Sequence, residues 1–451
     1  MKTALRNCLL ALLLVMCTAV GAQAAGYGLY EFSARGNALG GSLVARTPDA
    51  AAAAFNPANT TNLPGTHMQF GATFINPYSK IDFENFSGAY EDATGKSNVW
   101  VPPHFYITHQ LNDRFWLNLG VMSRFGLGTE FEETWTGRYN VNFASINAFS
   151  VNPTIAWKMT DKLSLAVGPE FMWFKYRSDK VVDGNSVIYK AKNGPGASRV
   201  PGSVGMTGVP QDPTSHGEDI DAMLEGDSVG LGFTAALHYQ INKDWAAGLT
   251  YRSQMKQEVR GEATFSLPNS SNPANNAFYS TLFKNSSAGA KIILPDEVFA
   301  GVSWQATPKL SLEADLVWTN WSLYRTLTVE YDDLPAQEAS ISDKNWRDAW
   351  RVQLGAEYAY SDALTLRCGY VWDQSPIHGD QADYMIPTGD RHLFSVGTGY
   401  RFNENWTVDL SYTYLIAQDR SFDNRPAEGV FESEAHDTVT HLYGITVGYD
   451  F

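Results

Sequence analysis

The sequence predicts an all-β fold, an antiparallel transmembrane β-barrel of about 14 strands with a small N-terminal hatch in its lumen. Three observations lead there. Stretches of about ten residues alternate apolar and polar side chains, and short polar turns alternate with long loops. Beyond the N-terminus no run of about 18 apolar residues occurs, and the mean hydropathy is −0.25, which excludes a helical membrane protein.

The alternation is clearest from Trp406, where Trp406, Val408, Leu410, Tyr412 and Tyr414 share one face and Thr407, Asp409, Ser411 and Thr413 the other. Leu364, Leu366, Cys368, Tyr370 and Trp372 repeat it, as does the odd-numbered face from Val229 to Ile241. A strand with lipid on one side and a lumen on the other has this pattern. The chain ends on such a stretch, from Tyr443 to a final Phe451, which resembles the signal that outer-membrane assembly machinery reads.

Short connections at Asn112-Asp113, Thr160-Asp161-Lys162, Asn242-Lys243-Asp244, Thr307-Pro308-Lys309, Ser361-Asp362 and Asn403-Glu404-Asn405 have hairpin-turn chemistry. Between them lie long loops near 78–100, 125–141, 178–224, 259–289, 326–345, 376–390 and 417–437. Short turns face the periplasm and long loops the outside in such barrels. Trp116, Trp157, Trp245, Trp304 and Trp406 lie close to the short turns, as rings at a membrane interface do.

The N-terminal region reads differently. Lys2 and Arg6, an apolar run from Leu9 to Val20 and the small-residue site Ala22-Gln23-Ala24 have the form of a secretory signal over residues 1–24. Met16 ahead of Cys17 is the wrong residue for lipoprotein processing. A mature chain from Ala25 is therefore expected, with a hatch over 25–65 and the barrel over 66–451. The hatch is inferred from the small-residue stretch Gly36-Asn37-Ala38-Leu39-Gly40-Gly41 through Ala54, which does not alternate and lets backbone pack closely against a wall.

Charge and cysteine count narrow the function. Of 33 Lys and Arg, Lys2 and Arg6 leave with the signal, so 31 face 48 Asp and Glu for a net of −17, which disfavours nucleic acid. Cys8 and Cys17 leave as well, so Cys368 has neither a disulfide partner nor the company a Cys-ligated zinc needs. No metal and no cofactor are expected. No G-x-S-x-G elbow occurs, and none of the nine His sits in a catalytic motif; His378 with Asp380 reads as loop chemistry. The chain is not expected to be an enzyme, an outer-membrane lipid hydrolase being the nearest enzymatic alternative. A general porin shares the barrel pattern, but a plugged lumen argues against it.

Several segments resemble the FadL-type family of outer-membrane transporters for long-chain fatty acids and aromatic hydrocarbons. They are the stretch from Ala25 to Ser33, Asp49-Ala50-Ala51 leading to Asn56-Pro57-Ala58, Phe125 to Thr129, Trp318-Thr319-Asn320-Trp321-Ser322, Asp373-Gln374-Ser375-Pro376 and Asp390-Arg391. The resemblance covers essentially the whole mature chain and implies a groove formed by the third and fourth outer loops. It also implies a deeper pocket near Ala25, Tyr27 and Phe32, and a kinked third strand that opens sideways to the membrane. Gly120, Arg124 and Gly126 lie where that irregularity would fall.

Transport would be passive, since no phosphate loop is present. Val181, Val182, Val187, Ile188, Tyr189, Phe278, Tyr279, Leu282 and Phe283 offer apolar surface in the two loops, either for capture or for packing the loops together. A fatty acid needs an apolar lining and a cation for its carboxylate. By parity Met122, Met172, Phe174, Tyr176, Phe299 and Leu393 line the lumen, and Arg124, Arg252, Arg351 and Arg367 are lumen cations, with Glu313, Asp315, Glu357 and Asp373 on the same side as rival partners. Lys175 and Arg177 fall outward at the rim by strict parity, where lipopolysaccharide phosphate is the plainer partner, unless Gly168-Pro169 inserts a bulge. A neutral hydrocarbon would need no cation. The expected partners are a hydrophobic small molecule, outer-membrane lipid with lipopolysaccharide and the assembly machinery, and the expected state is a monomer.

Overall fold

The computed structural model describes residues 26–84, 90–193, 218–334 and 339–451. The signal reading and Ala25 lie outside them. Eight strands run unbroken through the wall: β1 (Thr66–Glu84), β4 (Phe115–Glu130), β5 (Phe143–Lys158), β6 (Leu163–Asp183), β7 (Asp219–Gln240), β16 (Leu364–Asp373), β17 (Arg391–Arg401) and β20 (Ser433–Asp450). Six more are interrupted, each made of a lower and an upper piece. They are β2 (Tyr90–Thr94) with β3 (Pro103–Gln110), β8 (Trp245–Arg252) with β9 (Met255–Ser266), and β10 (Ser286–Leu294) with β11 (Glu297–Thr307). The others are β12 (Leu310–Thr319) with β13 (Thr326–Tyr331), β14 (Ala339–Asp343) with β15 (Ala349–Ala359), and β18 (Trp406–Ala417) with β19 (Arg420–Phe422). Every neighbouring pair is antiparallel, and β1 pairs β20 from His67–Asp450 up to Phe83–Ser433, so the sheet closes as a barrel of 14 strands.

Alternation has the cause the sequence implied. In β6, Phe171 and Trp173 point outward at 41% and 52% exposure while Met172 and Phe174 are buried, and no register shift with β7 accompanies Gly168-Pro169. Lys175 and Arg177 therefore keep their outward parity. The six turns share one device: a side-chain oxygen accepts from the backbone N–H groups that start the next strand. Asn112, Thr160, Asn242, Thr307, Ser361 and Asn403 are the acceptors.

Six of the seven outer loops are shorter than expected, since all but 376–390 contain paired strand residues. β6 and β7 stay paired to Asp183–Asp219 and β9 and β10 to Ala263–Ser286, so strands occupy both ends of 178–224 and of 259–289. Above the bilayer both faces of a strand are wet, which erases the apolar-polar contrast while the backbone ladder continues.

Residues 26–63 lie against the inner wall and are almost wholly buried, with α1 (Ala34–Ala38), α2 (Ala52–Phe55) and a 3-10 turn at Pro57–Asn62. Ser33 caps α1 by accepting from Gly36 N. Asn56 explains its own motif: its side-chain oxygen accepts from Ala58 N, and its Nδ2 donates to Val44 O at 2.8 Å and to Leu237 O of the wall at 2.9 Å. Pro57 opens the 3-10 turn where no N–H is needed.

Small residues on the wall let this backbone in. A Cβ at Gly369 would stand 2.3 Å from Gly40 N, and one at Gly355 2.7 Å from Leu39 O. Gly369→Val is expected to cost roughly 1–3 kcal/mol through overpacking. It should lower the fraction of heat-modifiable, folded protein on gels, whereas Gly379→Val, whose Cβ meets nothing within 4 Å, should fold like the parent.

Candidate functional site: an apolar interior above the N-terminal segment

The third strand of the wall, β4, loses its neighbour partway up. It pairs β3 only from Gln110–Trp116 to Phe105–Val121. Beyond that Pro103 removes the N–H on the side of β4, whereas Pro102 faces β1 and accepts there from Thr73 N. At the same height β4 shifts register against β5 between Ser123 and Phe125, leaving Arg124 as the extra residue of a bulge. The N-terminal segment takes the vacant edge: Leu29 N donates to Arg124 O at 2.7 Å and Gly126 N to Tyr27 O at 2.8 Å.

Tyr27 enters an aromatic enclosure beside this edge. Its ring lies 4.8 Å from Trp321, 5.4 Å from Trp346, 5.8 Å from Tyr324 and 6.3 Å from Phe125, centroid to centroid. Trp321 and Tyr324 come from the break between β12 and β13, and Trp346 from the break between β14 and β15. Gly26 is left-handed at φ 64 and lies under the Trp321 ring, where a Cβ would come within 2.8 Å. Met172, Phe174 and Tyr176 of β6 continue the apolar surface, with Met255, Ile292 and Leu294 from the other side. In this state the side chains fill the space. The apolar cavity left between Tyr176, Val259, Ile292, Leu327 and Val329 is about 20 Å³, so a ligand must displace side chains to enter.

Two lysines stand at the outer end of this interior. Lys344 is buried between β14 and β15 and bonds Asp383 at 2.7 Å. Burial alone would lower its pKa, but the Asp383 carboxylate, with Tyr324 and Tyr176, holds it above the ordinary lysine value, so it stays charged. Lys180 of β6 feels the Lys344 charge and has no acidic partner within salt-bridge distance among the described residues. It lines an opening of 560 Å³ at the outer mouth, together with Lys96, Arg177, the acids Glu130, Glu133, Asp179 and Asp221, and the apolar Phe131, Phe143 and Met223. Across the mouth, Phe83, Trp135, Tyr384 and Phe422 pack edge to face as a lid.

The arginines singled out by parity are inside, each held by acids. Arg124 bonds Glu170 at 3.0 Å and Glu297 at 2.6 Å, and Arg252 bonds Glu170 at 3.3 Å. Arg351 bonds Asp373 at 2.9 Å, and Arg367 bonds Glu357 at 2.7 Å and Asp409 at 2.5 Å. Lys175 lies outside, 3.9 Å from Glu225, and Arg177 bonds Asp179 at 2.6 Å.

Met122 and Phe32 meet in a separate cluster around the N-terminal helices, and Phe299 packs with Tyr30 and Val44. In the loops, α3 (Gly184–Asn193) and α4 (Pro273–Leu282) pack on one another through Ile188, Phe278 and Tyr279, leaving Tyr189 41% exposed. Sequence reading missed Lys180, Lys344, Trp321, Tyr324 and Trp346 as a group. Trp321, Tyr324, Lys344 and Trp346 sit at interruptions of strands, which parity does not address, whereas Lys180 lies within β6 on the same parity as Met172, Phe174 and Tyr176.

A closed barrel with an apolar outer band, an interior occupied by its own N-terminal segment and an aromatic enclosure beside a wall edge that this segment completes defines a class: an outer-membrane transport barrel for hydrophobic substrates. The chain belongs to the family of outer membrane protein transport proteins (OMPP1/FadL/TodX), whose model matches residues 15–451. It is 27% identical over 442 residues to a long-chain fatty acid transport protein of Escherichia coli O6:H1, covering 95% of each chain. Its fold is that of a solved Pseudomonas aeruginosa FadL homologue, at TM-score 0.81, 20% identity and coverage of 94% of this chain and 100% of the other. The Pseudomonas putida toluene transporter TodX follows at TM-score 0.70, 17% identity and coverage of 95% and 99%. The protein is an outer-membrane protein, and its family consists of transport channels.

Arg124→Leu is expected to destabilise the barrel by about 3–5 kcal/mol, because Glu297 and Glu170 would lose a buried partner. Urea unfolding in detergent should show it as a lower midpoint with an unchanged slope.

Proposed function

We propose that this chain takes up long-chain fatty acids by passive diffusion, holding the tail in the apolar interior and the carboxylate at Lys180 and Lys344. The observation that carries this reading is the pairing of opposites in one place. An aromatic and aliphatic interior ends in two lysines, one of them without an acid of its own. A carboxylate leaving water needs such a cation, and a hydrocarbon tail needs such a lining. The 27% identity to fatty acid transport proteins supports the same choice. Neutral aromatic hydrocarbons are the second reading, favoured by the enclosure of Tyr27, Trp321, Tyr324 and Trp346.

Residues 25–65 act as a hatch that keeps the lumen shut, so the cargo leaves sideways. The route is the edge of β4 above Val121, closed at rest by Tyr27 to Leu29. A ligand that displaces Tyr27 removes the two backbone hydrogen bonds holding that edge and clears a path between β3 and β4 into the bilayer.

Replacing Lys180 and Lys344 together by Gln should weaken fatty acid binding by roughly tenfold or more, the worth of a charge-assisted contact, and leave binding of the matched alkane or of toluene unchanged. Equal loss for both ligands, or none for either, would favour neutral cargo. For the route, a Gly28→Cys, Phe125→Cys pair in a Cys368→Ser background should stop uptake when oxidised and restore it on reduction, since Gly28 and Phe125 face each other across the bridge.

A further inference from the structure

The outer wall carries an apolar groove of 550 Å³ on the side of β8, β11, β12, β15 and β16. Its floor is Ala314, Ala356 and Cys368, and Trp304, Leu312, Leu354 and Tyr370 stand around it. The register puts large beside small: Leu312 faces Ala356, Ala314 faces Leu354, and Ala356 faces Cys368. The wall is thin here, because Gly355 and Gly369 on the inner side touch Leu39 and Gly40 of the N-terminal segment. One layer of backbone separates the groove from that segment.

We propose that this groove is the seat of a resident phospholipid of the periplasmic leaflet, one acyl chain lying over Ala356 and Ala314 and the phosphate meeting Lys309. Lys309 is exposed in the periplasmic turn that joins β11 to β12, two of the strands that form the groove. Ala314 is five steps along the chain from Lys309, or roughly 16 Å at ~3.3 Å each, which matches one leaflet of a hydrocarbon core ~30 Å thick. Trp245 and Trp304 stack at 5.4 Å beside the groove, at the height where rings meet headgroups. A second copy of the chain fits less well, since a two-fold contact would set one concavity against another. A flexible chain fills an irregular apolar slot, and the lysine at its periplasmic end supplies the complementary charge for a phosphate.

The test is native mass spectrometry of the full-length protein reconstituted in vesicles of phosphatidylethanolamine and phosphatidylglycerol and then released from detergent. The parent should retain one phospholipid, and so should Leu231→Trp, a bulky change at a lipid-facing site on β7 away from the groove. Ala356→Trp should reduce retention at least about tenfold by filling the floor. Lys309→Gln should reduce it about two- to fivefold, as loss of an exposed charge contact does. Heat-modifiable migration verifies folding, and Ala314→Leu provides a smaller fill should Ala356→Trp fail that check. Retention unchanged by the fills, retention of a free fatty acid in place of phospholipid, or a dimer occupying the site would each overturn the proposal.

Discussion

The structure depends on charge neutralisation inside a lumen that water barely reaches. Burying an unpaired guanidinium or carboxylate costs several kcal/mol, so every lumen arginine picked out by parity has an acid within reach. Some of these pairs join wall to wall and others fasten the N-terminal segment. Glu313 accepts from Ala45 N, Arg46 N and Arg46 Nε, while Arg35 bonds Glu357, which Arg367 also holds. Ion pairs set the position of residues 26–63, and the glycines of the wall let its backbone come close enough to make them.

The same economy leaves one weak place. Within a bilayer each backbone N–H and C=O must be satisfied by protein, and β4 above Val121 would lack a partner on one side. The N-terminal segment provides it, through Tyr27 and Leu29, at the bulge whose Arg124 side chain is clamped by Glu170 and Glu297. The bulge therefore has ion pairs on its inner side and two backbone hydrogen bonds at its edge. Tyr27 ties that edge to the aromatic enclosure, so what occupies the enclosure and what closes the wall are linked by a few residues of chain.

Much of this could be read from the residues. Two solvents on opposite faces of each strand leave a period-two record, which carried the strand count, the six turns and the facing of Lys175 and Arg177. The record fades above the membrane, which is why the ladders from Ser178 to Asp183 and from Val259 to Ser266 were read as loop. Parity found the acid where it sits directly across a strand pair, Asp373 for Arg351 and Glu357 for Arg367, but not Glu170 and Glu297, which reach Arg124 from strands that do not adjoin β4. Lys344 and Trp346 lie in the gap between β14 and β15, and Trp321 in that between β12 and β13, where no alternation exists to assign a face. Pro102-Pro103 was a usable signal, since a proline within a strand removes a donor from one of its two ladders.

The central claim is that the N-terminal segment closes the bore and leaves the apolar side route as the only exit. Planar-bilayer conductance tests it most directly, comparing the intact chain with one lacking residues 26–63. The account predicts no lasting ion current from the intact protein and a large, steady one after the deletion. A large, steady current through the intact protein would contradict it.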